Sequence, residues 1–126
     1  MDTITRARIK KISPLLLVTD IERSISFYTT KLGFDLDFRY EDFYCSVSKD
    51  DCSIHLKTGS LSKEERNRRK QHEDIDMMIS VEHIEDLYEE FKSQSIEFTQ
   101  PLRQMDYGKE FYIIDPDGYI LAFVEV

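Results

Sequence analysis

The sequence predicts an α+β domain built from two tandem βαβββ modules. Three observations predict it: an internal repeat of half the chain length, an apolar stripe of helical period in each copy, and three short strand-like runs after each stripe. Leu15-Leu16-Leu17-Val18 leads through Thr19-Asp20 into Ile21, Ile25, Tyr28 and Leu32. Met77-Met78-Ile79-Ser80-Val81 leads through Glu82-His83 into Ile84, Leu87, Tyr88 and Phe91. An offset of 63 residues sets Val18 on Val81, Ile21 on Ile84 and Tyr28 on Phe91.

Each stripe recurs at i, i+3 or i+4, and i+7, which gathers its side chains on one helix face and lets that face pack on a sheet. Asp20 is suited to cap the first helix, because its carboxylate can accept from first-turn N–H groups, and Gly33 suits the left-handed residue that ends it. The runs 34–40, 43–49 and 52–57 then read as strands of module one, and 97–103, 109–114 and 120–126 as strands of module two. Asp50-Asp51 reads as a two-residue hairpin loop. Asp115-Pro116-Asp117-Gly118 is the sharpest turn signal: Pro presets the first turn position and Gly tolerates positive φ, so the flanking runs form a hairpin. The expected division is one domain, with module one at 9–57, a linker at 58–75 and module two at 76–126. Ser62 and Glu65 have capping-box spacing, so the linker is expected to hold a short exposed helix.

The composition supports a folded core: of 126 residues, 40% are hydrophobic and 33% charged, with 4 Gly and 3 Pro. The longest apolar run, Pro14 to Val18, is far below the roughly 20 residues of a membrane span, and Met1-Asp2-Thr3 does not open a signal peptide, so a cytoplasmic protein with no membrane partner is expected. A net charge of −8 argues against a nucleic-acid partner and favours neutral or cationic ligands. The tract Lys63, Arg66, Arg68, Arg69, Lys70 is basic but has no interleaved aromatics, and reads as a solvated linker helix. With Asp50-Asp51 as the loop, Cys45 faces Leu56 rather than Cys52, so two buried free thiols are expected.

Three segments in this order resemble the vicinal oxygen chelate superfamily of glyoxalases, bleomycin-resistance proteins and dioxygenases: Val18-Thr19-Asp20-Ile21-Glu22-Arg23-Ser24-Ile25-Ser26-Phe27-Tyr28, Leu32-Gly33-Phe34, and Phe111 to Tyr119. The resemblance covers Ile9 to Val126. Asp37-Phe38, Asp42-Phe43, Ile54-His55-Leu56 and Gly108-Lys109-Glu110-Phe111 resemble the bleomycin-resistance branch more closely. It implies a curved eight-stranded mixed sheet, a homodimer, and ligand crevices at the subunit boundary.

Metal-dependent members of that superfamily hold a divalent ion on the first and last strands of each module. The matching positions here are Ser13, Asp76, Ala122, and Ser53 or His55 according to register. Serine is a poor ligand and alanine none, so at most His55 and Asp76 remain, and no metal or other cofactor is expected. Catalysis is correspondingly disfavoured, since no Lewis acid is available for the superfamily's chemistry. His72 and His83 read as solvated. The plain reading of His55 is a strand histidine bonded to Ser46, its cross-strand neighbour.

Strand alternation places Cys45, Val47, Ile54 and Leu56 toward the helices, and Tyr44, Ser46 and His55 on the other face, with Asp76, Met78 and Ala122 likewise. The resemblance makes that second face the ligand side and brings Phe38, Phe43, Tyr107, Glu110 and Tyr112 near it. Aromatic rings stack on planar groups and attract cations. The function read from the sequence is therefore a bleomycin-resistance-like protein that sequesters a planar, cationic small molecule. The alternative is a metal-dependent enzyme of glyoxalase, lyase or dioxygenase type with ligands outside the matched positions.

Overall fold

The computed structural model describes residues 6–59, 62–72 and 74–126, with the backbone alone at Arg69, Lys70 and His72. The opening Met1-Asp2-Thr3 and the side chain of His72, both read above, lie outside the described set. Module one runs β1 (Leu15–Val18), α1 (Ile21–Ser26), a π-helical turn (Phe27–Lys31), β2 (Asp35–Tyr40), β3 (Tyr44–Lys49) and β4 (Cys52–Thr58). After α2 (Lys63–His72), module two runs β5 (Ile75–Ser80), α3 (Ile84–Ser93), β6 (Phe98–Met105), β7 (Gly108–Ile114) and β8 (Ile120–Glu125). The eight strands hydrogen-bond as two four-stranded mixed sheets, ordered β1-β4-β3-β2 and β5-β8-β7-β6, with the parallel pair at β1·β4 and at β5·β8.

The helices form where the caps allow. Asp20 accepts from the Arg23 N–H at 3.2 Å, as its position predicts. The end of the first helix departs from the expected α-helix: Leu32 N–H bonds the Phe27 carbonyl across five residues, and Gly33 follows at φ 82. Helix α3 has no side-chain cap of its own, and His83 sits at φ 57. Its cap comes from β8 instead, where the Glu125 carboxylate accepts from the N–H groups of His83 (3.1 Å) and Ile84 (3.0 Å), a pairing the helix dipole favours. In α2 the Glu65 N–H donates to Ser62 Oγ at 3.0 Å, as the capping spacing predicts.

One hydrophobic cluster spans both modules, joining Leu16, Val18, Ile21 and Tyr28 to Phe91, Phe111, Leu121 and Phe123. Cys45 faces Leu56 in the ladder and is buried, as expected, but Cys52 is exposed. The expectation of two buried thiols fails at Cys52 because it is the first residue of β4, where the strand emerges from the turn and has not reached the core.

Asp50 and Asp51 both lie in the left-handed region, at φ 49 and 67, so the β3–β4 hairpin turns through a primed turn without glycine. Replacing the pair by Asn-Gly is expected to raise stability by about 1 kcal/mol, because Asn and Gly adopt positive φ at lower cost. Urea denaturation checks this, and an unchanged midpoint would refute it.

The modules are joined by the Asp-Pro-Asp-Gly turn. Gly118 N–H bonds the Asp115 carbonyl at 3.0 Å and Gly118 lies at φ 90, as the turn reading requires. The two carboxylates then reach module one. Tyr28 Oη donates to Asp115 at 2.7 Å, while Asp117 accepts from Thr19 N–H (3.0 Å), Thr19 Oγ1 (2.8 Å), Arg23 (3.3 Å) and Ser24 Oγ (3.4 Å). The Tyr119 hydroxyl accepts from Leu17 N–H at 3.1 Å and donates to the Leu17 carbonyl at 2.8 Å, closing the free edge of β1.

Candidate functional site

The ladders put the two modules in register with each other. Leu15 pairs with His55 in module one, and Met78, 63 residues on, pairs with Ala122 in module two. His55 is therefore the counterpart of Ala122, which settles the open choice between Ser53 and His55. Ser46 pairs with His55 and Tyr112 with Ala122, so Ser46 corresponds to Tyr112, and Tyr44 to Glu110. The face opposite the helices thus carries matched positions filled with different chemistry.

On module one these positions hold aromatic groups. The rings of Phe38, Tyr40, Tyr44 and His55 form one cluster, with Phe38 edge-on to His55 at 5.6 Å and Tyr44 edge-on to His55 at 5.6 Å. Tyr44 Oη and His55 Nδ1 are 2.7 Å apart, which leaves Nε2 as the remaining polar atom of the imidazole. The expected His55–Ser46 bond is not formed, although the two are cross-strand partners. The phenol of Tyr44, on the same face, reaches the imidazole and takes its place. Ser46 Oγ is left buried with no partner, one of two such side-chain atoms among the described residues. An unpartnered buried hydroxyl costs on the order of 1–3 kcal/mol.

On module two the positions are ionic. Glu110 is 1% exposed, and its Oε2 accepts from Arg103 Nε (2.7 Å), Arg103 Nη2 (2.5 Å) and Tyr112 Oη (3.2 Å), while Oε1 accepts from Tyr107 Oη. Burial pushes the Glu110 carboxyl up, but the bonds from Tyr107, Arg103 and Tyr112 outweigh it and hold the group below its ordinary value. The same bond to Glu110 pushes the Tyr107 phenol up to about 12. Arg103 also bonds Gln100 Oε1 at 3.1 Å and lies over the Tyr112 ring at 5.6 Å.

The structure therefore brings together Phe38, Tyr44, Ser46 and His55 in one group and Tyr107, Glu110 and Tyr112 in another. Phe43 stands apart, exposed at the β2–β3 turn with no ring contact to the cluster. Asp76 accepts from the Ile120 N–H at 2.9 Å, Met78 is 64% exposed, and Ala122 is fully buried beside Met78 in the ladder. Arg103, Tyr40 and Gln100 were missed. Arg103 had a signal: with Asp106-Tyr107 as a two-residue loop, it falls opposite Glu110, a cross-strand pair of opposite charge. The Glu110 carboxylate is thus neutralised locally by Arg103.

The four superfamily metal positions do not fit an ion. Ser13 Oγ and Ser53 Oγ bond each other at 2.6 Å, His55 is engaged by Tyr44, Asp76 serves the Ile120 N–H, and Ala122 has no donor atom. Among the described residues no three His, Cys, Asp or Glu side chains converge. Among the described residues no helix is long and apolar enough to cross a membrane.

Two βαβββ modules with their helices on one side and a mixed aromatic and polar face on the other define the glyoxalase and bleomycin-resistance fold. Residues 8–123 match the model of the Glyoxalase/Bleomycin resistance protein/Dioxygenase superfamily, and the chain belongs to that family. It is 30% identical to the bleomycin resistance protein of Geobacillus stearothermophilus over 126 residues, covering 89% of this chain and 93% of that one. Among solved structures, a superfamily member from Alicyclobacillus acidocaldarius superposes with a TM-score of 0.73 at 20% identity, over 96% of this chain and 94% of that one. The bleomycin-binding protein of Streptomyces verticillus, solved with copper(II)-bleomycin, superposes with a TM-score of 0.72 at 21% identity, over 95% and 98% of the two chains.

Proposed function

We propose that the protein sequesters a planar, cationic small molecule of the bleomycin class without transforming it, and that it does so as a homodimer. The carrying observation is the aromatic cluster of Phe38, Tyr40, Tyr44 and His55, which offers rings for stacking a flat group on the strand face that also holds the buried, unpartnered hydroxyl of Ser46. The bleomycin resistance proteins it resembles support the ligand class. The Arg103–Glu110 pair, held by Tyr107 and Tyr112, supplies a rigid polar wall rather than a proton donor or a metal ligand. Leu15, Leu17 and Met78 are exposed on the same side, at 51%, 38% and 64%, and offer apolar area for a second copy to cover.

Isothermal titration with metal-free bleomycin tests the reading. Saturable binding is expected, with the antibiotic recovered unchanged on denaturation; a chemically altered product would overturn it in favour of a metal-dependent enzyme. Phe38→Ala is expected to weaken binding about tenfold, the loss of one stacking ring. Light scattering should give the mass of a dimer, and a monomer at the titration concentration would remove the second copy from the site.

A further inference from the structure

We infer that the seam between the modules carries a second small-molecule site, for a monocyclic phenol, separate from the open face. The ladder correspondence extends to the hairpin ends: Lys49 and Cys52 occupy in module one the places of Asp115 and Tyr119 in module two. Along the first strand and helix, the 63-residue offset sets Leu17 on Ser80, Ser24 on Leu87 and Tyr28 on Phe91.

On one side of the seam this set is a filled clamp, with Tyr28 on Asp115 and Tyr119 on the edge of β1. On the other side the set loses its ring and its polar partners: Cys52 replaces the ring of Tyr119, Phe91 lacks the hydroxyl of Tyr28, the apolar Leu87 replaces the hydroxyl of Ser24, and the turn is one residue shorter. What remains is a cavity of about 510 Å³ whose lining includes Lys49, Cys52, Ser80, Leu87, Phe91 and Phe123. That volume lies within the roughly 300–1,000 Å³ of small-molecule pockets.

The chemistry of the absent ring names the guest. Val81 N–H bonds the Val124 carbonyl, so the backbone groups of Ser80 point away from β8, as those of Leu17 point away from β4. At Leu17 one hydroxyl both accepts from the N–H and donates to the carbonyl. Among the described residues no side chain does this at Ser80. A carboxylate cannot donate to the carbonyl and an ammonium cannot accept from the N–H; a hydroxyl does both, and the apolar walls call for a ring behind it.

The test uses p-cresol, the side chain of tyrosine, with toluene as the control lacking the hydroxyl. Amide shifts at Ser80, Val81, Leu87 and Phe91 should saturate with p-cresol, at an affinity about tenfold above that of toluene. Cys52→Tyr, which supplies the ring covalently, should raise Tm and abolish p-cresol binding. Leu87→Phe narrows the cavity from the helix side and gives the same loss should C52Y not fold. Equal binding of toluene, shifts confined to β2–β4, or undiminished p-cresol binding in the filled variant would overturn the assignment. None of the aromatic-cluster residues lines this cavity, so the bleomycin titration succeeds or fails separately.

Discussion

Asp117→Ala is expected to lower the free energy of unfolding by about 3 kcal/mol, a large fraction of the stability of a domain this size. The carboxylate is 3% exposed and gathers four donors from module one. Not all four matter equally. Arg23 is 47% exposed on its side chain and its contact is 3.3 Å, so that ion pair contributes little. The Ser24 hydroxyl, at 3.4 Å, is weakly bonded. The cost lies with Thr19, whose backbone N–H and hydroxyl are both committed to Asp117 at 3.0 and 2.8 Å. Removal leaves a strand-end N–H with no acceptor at the seam, and the β1–α1 junction loses its anchor on module two. Urea denaturation measures the change, with Arg23→Ala as the control expected to cost under about 1 kcal/mol. Equal effects of the two substitutions would show that exposed charge, not the buried bonds to Thr19, holds the seam.

The role of that turn marks where the reading of the sequence stopped. Asp115-Pro116-Asp117-Gly118 is legible as a turn because Pro and Gly act locally. That both carboxylates also reach module one, Asp117 at the start of α1 and Asp115 at the π-helical turn, depends on how the modules are docked, and no spacing within the motif carries that information. The period of 63 was legible because the same apolar face must be buried twice, which leaves a repeated pattern in the chain. The faces of β3 and β4 followed from alternation alone, and Tyr44, Ser46 and His55 do share one face. The hydrogen bond within that face did not follow, since Tyr44 outreaches Ser46 for the imidazole, and side-chain reach is not a property of register. Gln100 was hidden for a related reason: β6 carries irregular pairing between Phe98 and Gln100 and between Gln100 and Arg103, which breaks the alternation that would have placed it, whereas Arg103 lies in unbroken register from the β6–β7 turn. Phe43 was brought into the candidate site by the resemblance, yet as a turn residue it has no strand face to share.

Asp115 gives the chain a pH dependence of the opposite sign to that of a carboxylate held down by its partners, such as Glu110. Burial pushes its carboxyl up to about 6 from an ordinary 3.8, against the bonds from Tyr28 and from the N–H groups of Tyr119 and Asp117. Burial and the neighbouring carboxylate likewise push the Tyr28 phenol well up, so it remains a donor throughout. Between these two values the folded chain holds a proton that the unfolded chain has released. The contribution of this group to stability therefore falls as pH rises from about 4 to about 6 and is constant above, a change of about 3 kcal/mol. Asp115→Asn removes the titration while keeping one oxygen for the N–H groups of Asp117 and Tyr119, both of which bond Oδ1 at 2.9 Å. At pH 7 the variant should be about as stable as the parent, because the amide avoids the cost of burying a charge and turns its NH₂ toward the Tyr28 oxygen. At pH 4 the parent, with its carboxyl protonated and able to donate, should be the more stable of the two. Unfolding midpoints compared from pH 4 to pH 8 should diverge toward the acid end. Parallel profiles would mean that the Asp115 carboxyl keeps its ordinary value in the folded protein, its three hydrogen bonds balancing its burial.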